Sequence, residues 1–235
     1  MIDGAVAPHS SLATVRVTRR NFVIGASDAN HGTAVASILA GRDPTGAALA
    51  SGVHLHVATV IGRENAESVA DAAALVEGLD WLAASGVRFV NISIAGPRND
   101  VVEAAVRAAA DRGVILVAAA GNAGREAPPR FPAAYEDVIA VSAIDRRGRP
   151  YLHGNRGEYV EIAAPGVDVW GALAGGDGAL WTGTSFAAPF VTTALAIQAG
   201  EARIGDVADA RAFLARATRD LGPKGRDPVF GAGLV

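Results

Sequence analysis

The chain has 235 residues, half of them hydrophobic, with a formal net charge of −3 and no cysteine. This length supports one large core. Charge is spread without the basic block that a phosphate backbone demands, so no nucleic-acid partner is expected. Composition excludes disulfides and thiolate metal sites, no apolar run approaches the roughly 18 residues of a membrane span, and no basic start, apolar stretch and small-residue cleavage site open the chain.

In chain order, strand-like and helix-like periods alternate. Asn30-His31-Gly32-Thr33 opens a helix whose Val35, Ile38 and Leu39 form the buried stripe. Residues 53–60 read as a strand and 68–85 as an amphipathic helix. A strand over 87–94, β-branched enough for a buried parallel position, precedes a helix over 100–112. Gly113 introduces a strand over 114–119, residues 137–144 supply another, and an Ala-rich helix runs from Ser185 to about Gln198. Stretches at 41–52, 121–132, 146–157 and 171–178 read as surface loops inside a single domain spanning 1–235, because periodic segments resume after each. Strands separated by helices need right-handed crossovers, so the expected fold class is α/β. A mostly parallel central sheet carries helices on both faces and gathers functional groups at its strand C-termini.

Three segments carry chemistry. In Thr182-Gly183-Thr184-Ser185-Phe186-Ala187-Ala188-Pro189 a serine stands at a helix N-terminus, where free N–H groups and the positive dipole end suit an oxyanion beside its hydroxyl. Pro189 is expected in the first turn, where its missing N–H has no helical partner to lose. His31 projects from the start of its helix, and Val117-Ala118-Ala119-Ala120-Gly121-Asn122 ends a buried strand in an asparagine flanked by glycines. Read singly, these are a capping serine, a surface histidine and a turn asparagine.

In this order, with 63 residues from Asn122 to Ser185 and 154 from His31 to Ser185, the segments together resemble the histidine, oxyanion-asparagine and serine motifs of the subtilisin-like serine proteases. Asn91-Ile92-Ser93-Ile94-Ala95-Gly96 is similar to the family's substrate-binding strand, Ala163-Ala164-Pro165-Gly166 to its pre-serine segment, and Gly231-Ala232-Gly233-Leu234-Val235 to its last strand. The resemblance implies a three-layer fold and peptide-bond hydrolysis through an acyl-enzyme without a cofactor, with Ser185 as nucleophile, His31 as general base and Asn122 in the oxyanion hole. Ile2-Asp3-Gly4 resembles the family's aspartate segment, which makes Asp3 the orienting acid. The family's apolar strand before this aspartate is apparently lacking here; a frayed chain end holds a carboxylate poorly, and Asp28 is a fallback acid. A related group of acid-acting serine peptidases has glutamate in place of the histidine, and the His-Gly-Thr segment argues against it.

By the same resemblance a peptide or protein substrate pairs with Ser93, Ile94, Ala95 and Gly96, while Ala119, Gly121 and Arg130 border the pocket for the residue before the cleaved bond. An inward Arg130 favours acidic or polar side chains there; an outward one is a solvated loop arginine. The family commonly holds calcium in an oxygen-rich loop, but residues 41–46 offer one carboxylate, so no metal site is assigned. His54 and His56 alternate on one strand with no third ligand near them in sequence. Two further readings stand beside the protease: a degraded domain of the same family that binds peptides or partners without turnover, and a nucleotide-binding α/β domain. The latter lacks both a Gly-x-Gly-x-x-Gly turn and a Gly-Lys-Ser/Thr loop. Secretion is implied by resemblance alone, and no oligomeric state follows.

Overall fold

The computed structural model describes residues 1–25, 27–64, 67–199 and 204–235. Their elements are, in order, β1 (Ile2–Asp3), β2 (Arg16–Asn21), α1 (Ala29–Ala40), β3 (His54–Thr59), β4 (Ile61–Glu64), β5 (Glu67–Ala70), α2 (Ala72–Ala84), β6 (Phe89–Ile92) and α3 (Asp100–Asp111). There follow β7 (Ile115–Ala119), β8 (Val138–Ile144), β9 (Val160–Pro165), β10 (Val169–Ala172), β11 (Gly178–Trp181), α4 (Thr184–Gln198) and α5 (Val207–Ala217). Seven strands form a parallel sheet in the order β2-β3-β1-β6-β7-β8-β9.

The near-continuous apolar runs of β7 and β8 follow from burial on both faces. Leu116, Ala118, Val138 and Ala140 turn toward α2 and α3, together with Ile2, Val90 and Ile92. Their neighbours Ile115, Val117, Ile139 and Val141 turn toward α4 and α5. Helix α1 lies on the α4 side, where nearly all of it is buried, from Gly32 to Ala40, and not only the expected stripe.

Several boundaries differ from the sequence reading for local reasons. Residues 68–70, expected in a helix, belong to the hairpin β4–β5. Helix α2 starts later because the Asp71 carboxylate accepts from the N–H groups of Ala73 and Ala74, at 2.7 and 3.0 Å, and caps it. The supposed loop over 171–178 includes parts of the antiparallel hairpin β10–β11 and its turn. The terminal segment makes isolated bridges, Leu234 with Ala163 and with Arg219, in place of a full strand. Strand β2, rich in arginine and largely exposed, has no strand-like apolar pattern in the sequence because edge strands need no apolar run.

The N-terminus is not frayed. Ile2 and Asp3 form a two-residue strand in the middle of the sheet, paired to Ala58 and Thr59 on β3 and, through Ile2, to Ile92 on β6. Met1, Ile2 and Asp3 are 3%, 0% and 0% exposed. Pairing on two sides and full burial of an isoleucine, which stabilises by about 1.5–3 kcal/mol, hold the chain end.

Helix α1 approaches the segment after β1 closely enough that only glycine fits. A Cβ on Gly32 would lie 2.4 Å from the Ala5 carbonyl oxygen and 2.6 Å from that of Gly4; one on Gly4 would lie 2.7 Å from the Asp28 carbonyl oxygen. Side-chain bonds close the same seam, the Ala5 N–H donating to Ser27 Oγ and the Ala7 N–H to Thr33 Oγ1. Gly32→Ala is therefore expected to lower the unfolding free energy by about 1–3 kcal/mol in a urea titration, the cost of overpacking a rigid contact; an unchanged midpoint contradicts this packing.

Candidate active site

The sheet changes direction of growth at β1, whose neighbours are β3 on one side and β6 on the other. In parallel α/β sheets such a switch point opens a crevice at the strand C-termini. Asp3 ends β1, Ser93 follows β6, and Ala119, Gly121 and Asn122 end or follow β7, so the candidate residues of three adjacent strands meet at one rim.

His31 is the third residue of α1 and reaches back over that rim. Its Nδ1 lies 2.7 Å from Asp3 Oδ1, which also accepts the Gly4 N–H at 2.6 Å. The Asp3 side chain is fully buried and that of His31 one-third exposed. Asp3 Oδ2 is buried with no hydrogen-bond partner among the described residues. Burial pulls the His31 pKa down, but the Asp3 charge and hydrogen bond, with a lesser pull from Asp28, outweigh it and leave the pKa above its ordinary value. Asp28, the fallback, is the N-cap of α1, where its carboxylate accepts from the Asn30 N–H at 2.8 Å. Phe186 packs on the imidazole at 5.2 Å between ring centroids, and Trp181 packs on Phe186 at the same distance.

Ser185 is the second residue of α4, so its N–H has no acceptor within the helix. Its Oγ donates to the Ser93 carbonyl at 3.3 Å, and Ser93 Oγ donates to the Ser185 carbonyl at 2.8 Å. The second bond exists because of Pro189. That residue lies beyond the first turn, contrary to expectation, and its absent N–H is the one that would have bonded the Ser185 carbonyl four residues back. Asn91 Nδ2 holds Ser93 Oγ at 2.8 Å, and Thr192 of α4 donates to Asn91 Oδ1 at 3.3 Å.

Asn122 is exposed, yet its amide is oriented. Its Oδ1 accepts from the Thr184 N–H at 2.9 Å and from Thr184 Oγ1 at 3.0 Å, which leaves Nδ2 as the free donor. Thr184 Oγ1 in turn accepts the Gly121 N–H at 3.1 Å. Thr184, Pro189 and Phe186 bear on this geometry from within the same helix; a polar side chain beside the serine and a proline inside the helix are the sequence signals for the first two.

Of the expected substrate-binding residues, Ser93 and Ala119 are buried and Ala95 is exposed. Gly96 and Phe131 exchange backbone bonds at 2.8 and 3.0 Å, which closes one side of the segment 93–96. Arg130 is half-buried, and its Cγ lies 2.9 Å from where a Gly121 Cβ would stand. Asn155, buried behind Gly121, accepts the Ala123 N–H at 2.8 Å and steadies the loop that carries Asn122. Away from the rim, the rings of His54 and His56 lie 4.2 Å apart, and His54 Nε2 is 2.9 Å from Thr18 Oγ1. Among the described residues no three histidine, aspartate or glutamate side chains cluster as a metal site.

Residues 18–233 match the family model described as Subtilase family. Minor extracellular protease Epr of Bacillus subtilis is 30% identical over 242 residues, covering 100% of this chain and 37% of Epr. Subtilisin DY of Bacillus licheniformis is 34% identical over 204 residues, covering 83% of this chain and 73% of that protein. Thus the chain spans little more than a third of Epr and nearly three quarters of subtilisin DY. Among solved structures, the prenylagaramide maturation protease PagA superposes with a TM-score of 0.83 at 25% identity, over 100% of this chain and 88% of that one. The patellamide maturation protease PatA superposes at 0.80 and 26% identity, over 100% and 92%. A family match over most of the length, together with these relatives and this fold, establishes that the chain belongs to the subtilase family of peptidases.

Proposed function

We propose that the chain is a serine endopeptidase working through an Asp3–His31–Ser185 triad with Asn122 as oxyanion donor. The observation that carries this reading is the His31 Nδ1 bond to a fully buried Asp3, which fixes the neutral tautomer and leaves Nε2 as the base. In the attack, the Ser185 hydroxyl turns from the Ser93 carbonyl to His31 Nε2, which takes its proton as Oγ bonds the substrate carbonyl carbon. Negative charge moves to the carbonyl oxygen, toward Asn122 Nδ2 and the Ser185 N–H. Collapse breaks the C–N bond, His31 protonates the departing amine, and water releases the acyl group by the reverse proton path.

The substrate is a peptide or protein whose main chain lies extended along Ser93, Ile94, Ala95 and Gly96, with Ala119, Gly121 and Arg130 bordering the pocket before the scissile bond. Secretion is supported by a relative described as an extracellular protease.

A fluorophosphonate probe tests the reading. We expect stoichiometric labelling of the wild type, none of Ser185→Ala, and labelling slower by about 10³–10⁴-fold in Asp3→Ala, the loss that follows a misoriented imidazole. A folded wild type that resists the probe overturns the proposal. Specificity is tested separately. Arg130→Ala is expected to lower the kcat/KM ratio of a glutamate to a leucine substrate about tenfold, the worth of one charge-assisted hydrogen bond; equal ratios in both proteins contradict an inward guanidinium acting on substrate.

A further inference from the structure

One residue past Ser185 stands an aromatic ring to which the triad reading gives no role. Phe186 is the third residue of α4, and consecutive helix positions lie about 100° apart, so the helix start that sets the Ser185 hydroxyl also sets the direction of this ring. Phe186 is 4% exposed, and its ring centroid lies 5.2 Å from that of His31 at an interplanar angle of 52°. Behind it, the Trp181 ring of β11 lies 5.2 Å from that of Phe186 at 36°. The indole is held in turn. Its Nε1 donates to the Gly171 carbonyl at 3.2 Å, and a Cβ on Gly171 would stand 2.9 Å from Trp181 Cδ1 and 3.0 Å from Ala34 Cβ, so the ring fits because β10 is bare at that point. The hairpin β10–β11 and its turn are tied to the helix of His31 by the Ala172 N–H on Ser37 Oγ at 2.9 Å and the Ala174 N–H on Asn30 Oδ1 at 3.1 Å. An aromatic row thus runs from a hairpin anchored on α1 to the imidazole.

We propose that Phe186, backed by Trp181, is a positioning residue that stabilises the His31 imidazolium formed during turnover. The inference rests on the triad proposed above. When His31 Nε2 takes the Ser185 proton, a neutral ring becomes a cation whose other N–H is on Asp3. A cation within about 6 Å of an aromatic centroid is attracted by the ring quadrupole, more strongly where water is excluded. The neutral imidazole feels this attraction far less, so the interaction grows toward the transition state, which is the condition for lowering a barrier. Filling the space does not require an aromatic side chain: a leucine is as apolar but carries no quadrupole. Trp181 keeps the Phe186 ring in place from behind. The charged groups acting on His31 are Asp3 and Asp28, whereas α4 and β11 carry no charged side chain, so a change at position 186 leaves both carboxylates where they are and alters the ring alone.

The test compares Phe186→Leu, Trp181→Leu and Trp181→Phe with the wild-type full chain, by turnover of a chromogenic peptide and by ¹⁵N NMR titration of His31. Phe186→Leu is expected to lower kcat about tenfold with KM within about twofold, and to move the His31 pKa, and with it the acid limb of the kcat/KM profile, down by about 0.5–1 pH unit. Trp181→Leu is expected to lower kcat about threefold, and Trp181→Phe, which keeps a ring behind Phe186, to stay within about twofold of wild type. Replacing Phe186 by a trifluorinated phenylalanine keeps the shape and weakens the quadrupole, and it serves as the second variant should leucine disturb folding. There the His31 pKa should fall while the urea midpoint stays unchanged. A His31 pKa that stays at its wild-type value or rises in both Phe186 variants, or a fluorinated chain with the kcat of the wild type, overturns the proposal. A wild type that resists the fluorophosphonate probe overturns the triad reading alone, since the His31 titration needs no turnover and still decides what the ring does.

Discussion

The hydrogen bond from His31 Nδ1 to the buried Asp3 carboxylate joins the centre of the sheet to the start of α1, and the geometry of the whole rim depends on it. A carboxylate with no solvent contact is costly unless it is bonded, and among the described residues Asp3 is bonded at Oδ1 alone, by Gly4 and His31. The carboxylate cannot leave because its backbone is a rung of the sheet, next to Ile2, which is paired on both sides. His31 cannot leave because Gly4 and Gly32 let α1 settle against the segment after β1. The uncompensated negative charge that makes Asp3 expensive is also what raises the basicity of His31.

The Ser185 side of the rim is built on a second trade. Pro189 removes a helical bond from α4, which costs stability, but it frees the Ser185 carbonyl for Ser93 Oγ. Ser93, Asn91 and Thr192 then form a buried chain of hydrogen bonds between β6 and α4, fixing the height of Ser185 above the sheet. Thr184, one residue earlier, occupies the oxygen of the Asn122 amide so that only its N–H₂ group faces outward. One helix N-terminus thereby sets the hydroxyl, the backbone N–H and the orientation of the asparagine.

Much of this was legible in the sequence wherever a residue's role is local. The parallel strands β6, β7 and β8 announce themselves as apolar runs because both their faces are buried, and a glycine-flanked asparagine or a serine before an alanine-rich helix has few other structural reasons for its pattern. The failures share a cause, which is that the decisive contact lies far away in the chain. The fate of the N-terminus depends on pairing with residues 58, 59 and 92. The effect of Pro189 depends on a serine 96 residues earlier. Strand β2 depends on an edge position that demands no apolar pattern.

The most direct measurement is a ¹⁵N NMR titration of the histidine side chains in the wild type and in Asp3→Asn. Since the folded pKa of His31 is raised above 6.5, the pair contributes stability that is fully present below the unfolded value and lost as pH rises through the folded one, while the ring is neutral only above it. The account requires a wild-type His31 pKa above 6.5 with the proton of the neutral ring on Nδ1, and a lower pKa in Asp3→Asn. A His31 that titrates at or below 6.5 in the wild type, or at the same pH in both proteins, contradicts a carboxylate held in working contact with the imidazole.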